Sequence, residues 1–128
     1  MRLSTADAHT RFAQARVARL ATMGPHIVPV TFVLHEDTIV IAVDHKPKTT
    51  RNLKRLRNIE TDPHVSVLVD EYNDDWTQLW WVRADGTATI SETPSPELVA
   101  KYPQYQQNPP EGPFIRIAIE TLTGWSAS

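Results

Sequence analysis

A dense run of basic residues lies near the middle of the chain, between a strand-like segment and a helix-like one. Residues 45–57 contain six of the thirteen lysines and arginines in the sequence. A turn that leads from a strand into a helix points free backbone N–H groups and the positive end of the helix dipole at one spot. Basic and hydroxyl side chains at such a spot bind phosphate groups. We therefore predict a site for a phosphate or another polyanion in this basic segment.

The spacing within the basic segment separates a polar face from an apolar one. On a helix that begins near Thr49, one face carries Lys48, Arg51 or Asn52, and Arg55. Leu53 and Leu56 fall on another face, which we expect to pack on the core. A solvated basic face is the structural alternative. Ligand binding is favoured because basic side chains crowd the first turn, where the dipole by itself prefers acids, and because Thr49 and Thr50 add hydroxyl groups.

A nucleic-acid-binding surface is a second interpretation of the same segment. A basic helix would follow a phosphate backbone while Tyr72, Trp80 and Trp81 stack on bases. The net charge of −2 opposes this interpretation, and one short basic segment gives a small electrostatic footprint. We therefore expect no nucleic-acid partner.

Length and composition predict one folded domain over residues 1–128. Hydrophobic residues make up 41% of the 128 positions, which is enough for a hydrophobic core. The absence of cysteine excludes disulfides, thiolate catalysis and cysteine-bound zinc, and is typical of a cytoplasmic protein. The N-terminus lacks the apolar segment of a signal peptide, and no apolar run reaches transmembrane length. We expect a cytoplasmic protein without a membrane partner.

No other motif predicts a metal site or a covalent mechanism. The histidines show no pair at metal-ligand spacing on one helix, and the sequence has no HExxH motif. It also lacks a nucleophile-elbow motif, so a catalytic triad is not supported. Asp74 and Asp75 form an acidic pair that is more typical of a polar loop. Among the histidines, only His45, which opens the basic segment beside Asp44, is a candidate for a role in chemistry.

The apolar pattern predicts a mainly β protein with a few short helices. Strands are expected at residues 17–23, 26–34, 38–43, 64–69, 79–82, 86–90 and 114–122. Helices are expected from a Ser4 cap to residue 15 with Phe12 as anchor, over 49–57 and over 96–102, and a loop is expected over 104–113. The first three strands predict a meander, and the strand spacing as a whole predicts an antiparallel barrel rather than a βαβ fold.

Two adjacent tryptophans raise the question of a second subunit. Trp80 and Trp81 lie in one predicted strand and therefore point to opposite faces. We expect one to lie in the core and the other to be exposed or to contact a second subunit, since large aromatic residues are common at interfaces. A flat ligand at the rim of a small barrel would be largely exposed in one chain, and a dimer would cover it.

The order of several segments resembles a known family. These segments are 21–22 (AT), 24–32 (GPHIVPVTF), 46–53 (KPKTTRNL), 62–70 (DPHVSVLVD) and 81–88 (WVRADGTA). From about Arg11 to Trp125 the chain is similar to the pyridoxamine 5′-phosphate oxidase-like split β-barrel family. It is most similar to the actinobacterial branch that uses the deazaflavin coenzyme F420.

This resemblance implies a homodimer of split β-barrels with two cofactor sites in the interface. The flat ring would lie against the strand at Val28, Pro29, Val30 and Thr31, mainly through backbone groups. The cofactor phosphate would meet the basic segment at Lys46, Lys48, Thr49, Arg51 and Asn52. Trp80, or its neighbour, would come from the partner chain, and Lys54, Arg55 and Arg57 would serve the longer anionic tail of F420.

The activity implied by the resemblance is hydride transfer between F420 and a small electron-poor organic substrate. The cofactor carries this chemistry, so the resemblance names no catalytic side chain; Tyr72 and His45 are candidate proton donors. Two alternatives stay open: an FMN-binding oxidoreductase of the same fold, and a non-catalytic protein that binds F420 or haem. The chain lacks the C-terminal Trp and Arg region of true pyridoxamine phosphate oxidases, so we do not expect oxidation of vitamin B6. Pro47 and an extra residue before Arg51 distinguish its basic segment from those of some relatives.

Overall fold

The computed structural model describes residues 1–43 and 53–128, and all structural statements below refer to these residues. Its strands are β1 (Ala18–Thr22), β2 (His26–Val30), β3 (Val33–His35), β4 (Thr38–Ala42), β5 (His64–Glu71), β6 (Trp80–Ser91) and β7 (Phe114–Ser126). Its helices are α1 (Thr5–Gln14), α2 (Lys54–Thr61), α3 (Pro96–Lys101) and α4 (Pro103–Gln107), and a single 3-10 turn covers Trp76–Gln78.

The seven strands form one antiparallel sheet in the order β2-β1-β5-β6-β7-β4-β3. The two edge strands, β2 and β3, are separated in sequence only by Thr31 and Phe32. Since one short stretch of chain supplies both edges, the sheet must curl until its edges approach each other. The expected mainly β, barrel-like architecture is confirmed.

The concave side of the sheet encloses the main core. Along β2, the junction and β3, Val30 and Phe32 are buried, and Val28 and Leu34 pack against the core. Phe12 of α1 is also fully buried and meets the Phe32 ring edge to face, with centroids 5.1 Å apart. Ser4 caps α1 by accepting a hydrogen bond from the Asp7 backbone N–H at 3.1 Å, as the sequence predicts.

A second, smaller core lies on the outer face of β4. Val40 and Ala42 pack there against Leu98 and Tyr102, so β4 is buried on both faces. Double burial explains why the sequence of β4 is apolar at almost every position instead of alternating. The helices α3 and α4 are thereby fixed beside the junction of β2 and β3.

The predicted meander of the first three strands is wrong. The segment 26–34 divides at Thr31 and Phe32, and its halves join opposite edges of the sheet. β2 pairs with β1, whereas β3 forms a hairpin with β4, which in turn pairs with β7. The apolar alternation continues through the break because both halves face the same core, so periodicity alone does not reveal it.

The predicted interruption at residues 83–85 is also wrong, because β6 runs through it as one strand. A register shift between Asp85 and Gly86 marks a β-bulge, which bends the strand without ending it. A side chain at Gly86 would collide with the carbonyl oxygen of Ala118 on β7. The sequence therefore carries a glycine where two strands approach closely, rather than a turn.

Three boundaries differ from the expected ones. The helix predicted at 49–57 is α2, in which Leu53 is still extended and Lys54 is the first helical residue, and which continues to Thr61. Part of the loop predicted at 104–113 forms α4, and β7 extends four residues beyond the predicted strand end. Leu53 and Leu56 pack on the core, as expected. No helix in the described part of the chain is long and apolar enough to span a membrane.

Candidate functional site

The end of β2 borders a small cleft that holds several of the predicted site residues. The cleft has a volume of about 200 Å³ and is lined by Val17, Pro29, Val30, Thr31, Ala42 and Arg55. Val28 and Val30 turn their side chains towards the core, whereas Pro29 is exposed. The structure therefore brings Pro29, Val30 and Thr31 together at one cleft, and Val28 lies beside it on the same strand.

The edge position of β2 leaves backbone groups available at this cleft. β2 pairs only with β1, so one side of the strand has no neighbour in the sheet. An edge strand presents unpaired N–H and C=O groups, which other molecules can bind. Pro29 pairs with Arg19 in the register and has no N–H, which lowers the risk of unwanted strand addition at this edge. A flat ligand could thus be held here by backbone groups.

Two tyrosines from the α3–α4 region hold the junction that follows β2. The Tyr102 hydroxyl accepts a hydrogen bond from the Phe32 backbone N–H at 3.1 Å. It lies 2.9 Å from the Arg16 carbonyl oxygen and 3.0 Å from that of Phe32, to either of which it can donate. The Tyr105 hydroxyl shares a hydrogen bond of 2.8 Å with Thr31 Oγ1. Burial raises the pKa of Tyr102, so the neutral hydroxyl that this network requires persists at neutral pH.

Lys101 and Arg16 complete this tyrosine network. Lys101 Nζ donates to the Ala15 carbonyl oxygen at 2.7 Å and lies 3.9 Å from the centre of the Phe32 ring. Arg16 donates to the Lys101 carbonyl oxygen at 2.8 Å and stacks over the Tyr102 ring. Burial, with a smaller contribution from the Arg16 charge, lowers the pKa of Lys101 to about 8. The cluster ties the end of α1, the β2–β3 junction and α3 together.

Described residues on either side of residues 44–52 line the β2 cleft. The predicted phosphate-binding residues Lys46, Lys48, Thr49, Arg51 and Asn52 lie outside the described residues, as does His45. Ala42, which precedes this stretch, and Arg55, which follows it, both line the cleft.

A shallow groove of about 540 Å³ lies on the outer face of β1, β5 and β6. Its floor is apolar, with Ala21, Leu68 and Trp81, and the exposed Ile27 lies at its side. Two ion pairs lie at its border. Arg19 and Asp70, which both line the groove, are 3.9 Å apart, and Arg83, which also lines it, lies 3.1 Å from Asp85. The candidate proton donor Tyr72 lines this groove and is exposed, so within one chain it is not part of the β2 cleft.

Trp80 lies in a third cleft, between α1 and the start of β6. Both Trp80 and Trp81 are partly exposed, so the expectation that one of them is a core residue is wrong. Both rings lie where β5 ends and β6 begins, paired with Glu71 and Asp70 in the register, and this end of the sheet encloses neither ring. Trp80 packs on the rim of the core, lies under Arg11, and its indole N–H donates to Glu71 at 3.3 Å. Within one chain the structure does not bring Trp80 to the β2 cleft.

Comparison with known proteins agrees with this architecture. The sequence profile of the family described as pyridoxamine 5′-phosphate oxidase matches residues 4–126. The chain belongs to this family. Its curled seven-stranded sheet is accordingly the split β-barrel expected for pyridoxamine 5′-phosphate oxidase-like flavin-binding proteins. None of the curated proteins matches the sequence.

Solved structures share the fold at low sequence identity. An FAD-binding protein from Mesorhizobium loti has 22% identity and a TM-score of 0.70, with 97% of this chain and 95% of that chain covered. A conserved hypothetical protein from Mycobacterium tuberculosis has 19% identity and a TM-score of 0.72, with 98% and 86% covered. An FAD-binding protein from Mycobacterium smegmatis has 18% identity and a TM-score of 0.64, with 98% of each covered.

The tyrosine network of this pyridoxamine 5′-phosphate oxidase family member was not anticipated from the sequence. Residues 101–105 read Lys-Tyr-Pro-Gln-Tyr, and most of this stretch was expected to be a helix end and a loop. Two tyrosines at a spacing of three, directly after a helix, are a weak signal that only their contacts with Thr31 and Phe32 make meaningful.

Other polar clusters in the described residues do not form a metal site. No group of three or more histidine, aspartate or glutamate side chains is arranged to hold a metal ion there. Asp62 accepts hydrogen bonds from the His64 backbone N–H and from its ring, and these bonds lower the pKa of Asp62. The acidic pair Asp74 and Asp75 lies in an exposed loop, where Asp75 caps the turn at Thr77. Both clusters are local turn structures.

Proposed function

We propose that this protein is an F420-dependent oxidoreductase, which transfers a hydride between the deazaflavin coenzyme and a small electron-poor organic substrate. The observation that carries the proposal is that Ala42 and Arg55, which lie on either side of residues 44–52 in the sequence, both line the cleft at the exposed edge of β2. A ring on β2 and a phosphate bound by the basic segment would then be neighbours.

The residues of this chain bind and orient the cofactor in this proposal. The backbone of Val28, Pro29, Val30 and Thr31 holds the ring edge, because this strand lacks a neighbour on one side. Lys46, Lys48, Thr49, Arg51 and Asn52 hold the phosphate through charge-assisted and hydroxyl hydrogen bonds. When bound, the reduced deazaflavin supplies the hydride. The tyrosine network fixes the β2–β3 junction and thereby the angle at which the strand meets the ring.

Three further basic residues favour a cofactor with a long anionic tail. Lys54, Arg55 and Arg57 lie on α2, directly beyond the proposed phosphate site, and Arg55 lines the cleft. The first turn of α2 contains no acidic residue, so the helix dipole and these charges act on a bound anion together. F420 has such a tail and FMN does not, so these three residues favour F420 over FMN as the cofactor.

A flavin is the second candidate cofactor. Two of the structurally similar proteins are described as FAD-binding, and FMN satisfies the same ring and phosphate requirements. An FMN-binding oxidoreductase is therefore the alternative. A non-catalytic carrier of F420 or haem is the third candidate, since no acid–base pair lines the β2 cleft among the described residues.

We further propose that the protein acts as a homodimer, with the outer groove as the interface. The groove combines an apolar floor with charged pairs of both signs, and such a surface can be complementary to itself across a two-fold axis. In this arrangement Trp80 or Trp81 of one subunit contacts the cofactor of the other, and Tyr72 is brought within reach of its substrate.

A fluorescence titration of the purified protein with F420, and separately with FMN, tests the proposed function. Micromolar or tighter binding of F420 with weaker binding of FMN supports it. Lys48→Ala should weaken F420 binding by about 1–3 kcal/mol, or about 5- to 150-fold in Kd, because a charge-assisted contact is lost. Arg2→Ala is the control, since Arg2 is exposed and lines none of the three clefts. Equal affinities for both variants would remove the phosphate site, and tight binding of FMN alone would assign the protein to the flavin enzymes.

A further inference from the structure

The cleft around Trp80 is lined by more basic side chains than acidic ones. It has a volume of about 700 Å³ and is lined by Arg11, Gln14, Ala15, Arg16, Val17, Arg19, Asp70, Glu71 and Trp80. Three arginines and two carboxylates line it, and apart from the contact proposed for Trp80 with the cofactor of a partner subunit, neither the family resemblance nor the proposed cofactor site assigns a function to this set.

The two carboxylates are already occupied by other partners. Asp70 lies 3.9 Å from Arg19, and Glu71 accepts the indole N–H of Trp80. Arg11 contacts the Trp80 ring and Arg16 contacts the Tyr102 ring and the Lys101 carbonyl oxygen. Neither of these two arginines makes an ion pair with another described residue. Two guanidinium groups thus border one cleft with their charges uncompensated.

We propose that Arg11 and Arg16 bind the carboxylate of the substrate, and that the substrate class is a planar, unsaturated organic monocarboxylate. Guanidinium groups match carboxylate geometry and bind it through paired N–H donors. Trp80 supplies an aromatic wall for an apolar, planar body. That the bound carboxylate is the substrate rests on the proposed oxidoreductase function. Binding of a carboxylate at Arg11 and Arg16 does not itself require a cofactor.

The cleft is connected to the proposed ring site. Arg16 and Val17 line both the Trp80 cleft and a neighbouring depression at Tyr102, Tyr105 and Thr31. Val17 and Thr31 then line the β2 cleft as well. A molecule whose carboxylate is held at Arg16 therefore extends along Val17 towards Thr31, where the proposed ring lies.

The charge balance favours a monocarboxylate over a phosphate dianion. Asp70 and Glu71 also line the cleft, and their charges would repel a second negative charge on the ligand. A single carboxylate is balanced by Arg11 and Arg16. A neutral ligand of the same shape would leave both guanidinium groups without a negatively charged partner and should bind more weakly.

Isothermal titration of the purified protein with trans-cinnamate tests the inference. The matched neutral probe is cinnamamide, which has the same planar body and no charge. We expect cinnamate to bind at least tenfold more tightly than cinnamamide. We also expect the double variant Arg11→Gln and Arg16→Gln to lose this difference, while the control Arg2→Gln keeps it. Urea unfolding of each variant verifies that the fold is intact.

Four results would overturn the inference. One is equal binding of cinnamate and cinnamamide, and another is an undiminished preference in a folded double variant. The third is a loss of F420 affinity in the double variant as large as that in Lys48→Ala, which would assign the cleft to the cofactor tail. The proposed function has a separate readout, because cofactor binding is titrated in the absence of cinnamate. Competition with inorganic phosphate completes the test: displacement of cinnamate by phosphate at a lower concentration than by benzoate would contradict the assignment to a carboxylate.

Discussion

Replacing Tyr102 with phenylalanine removes one hydroxyl group from the centre of the tyrosine network. This hydroxyl accepts the Phe32 backbone N–H at 3.1 Å and can donate to the carbonyl oxygen of Arg16 or Phe32. Phe32 is fully buried and Tyr102 nearly so, so water cannot easily replace the lost partner. A buried donor left without a partner costs about 1–3 kcal/mol. We expect Tyr102→Phe to lower the free energy of unfolding by about 2 kcal/mol.

Urea unfolding monitored by tryptophan fluorescence measures this change, with the slope m compared between variants. Tyr105→Phe is the matched control, because its hydroxyl bonds to Thr31 Oγ1, which is only partly buried. We expect the control to lose less than about 1 kcal/mol, as water can substitute at a partly exposed hydroxyl. The aromatic rings remain in both variants, so packing is preserved and the comparison isolates the hydroxyl groups.

The same variant tests whether the network positions β2. Thr31 and Phe32 follow β2 directly, so a loosened junction should weaken F420 binding in Tyr102→Phe more than in Tyr105→Phe. The reasoning is refuted if Tyr102→Phe unfolds at the same urea concentration as the unchanged protein. If stability falls but cofactor affinity does not change, the network stabilises the fold without positioning the strand.

Three further predictions concern the sheet, the partly buried Lys101 and the outer groove. Gly86→Ala should destabilise the fold by about 1–3 kcal/mol in urea unfolding, because its Cβ would collide with the Ala118 carbonyl on β7, and an unchanged midpoint would contradict the close approach. Lys101 has a folded pKa of about 8, below its usual 10.5, so the unfolded chain binds more protons between these values and stability should rise as pH increases through that window. Lys101→Met should flatten this rise, measured as urea midpoints at pH 7 and pH 9; an equally steep rise would assign it to other groups. Ile27→Glu should dissociate the proposed dimer in sedimentation experiments while leaving secondary structure intact, because Ile27 is exposed beside the groove, and a monomer before mutation would remove the dimer proposal.

Local patterns predicted most elements because local forces determine them. The Ser4 cap, the burial of Phe12 and the packing of Leu53 and Leu56 on the core all appear as expected. The family-like order of the segments also predicted the split β-barrel correctly. In each case the signal is a short spacing that one helix turn or one strand pleat converts directly into a face.

The predictions from the sequence were wrong where an element distant in the sequence determines the local structure. The break at Thr31 and Phe32 is stabilised by Tyr102 and Tyr105, about seventy residues away in the sequence. The continuous strand β6 depends on its pairing with β5 and β7 along almost its whole length, which overrides the local turn signal at residues 83–85. No window along the sequence contains both partners of these contacts.

The sequence by itself determined the family of the protein and the residues proposed for the candidate site: a basic segment and an apolar strand with a proline. The charge and the hydrogen-bonding groups of these residues are properties of the side chains and do not depend on the fold. Only the tertiary structure decided which of them meet, because the curl of the sheet sets the neighbours of β2. It placed Ala42 and Arg55 beside Thr31, moved Trp80 to a different cleft, and brought Arg11 and Arg16 to the border of that cleft.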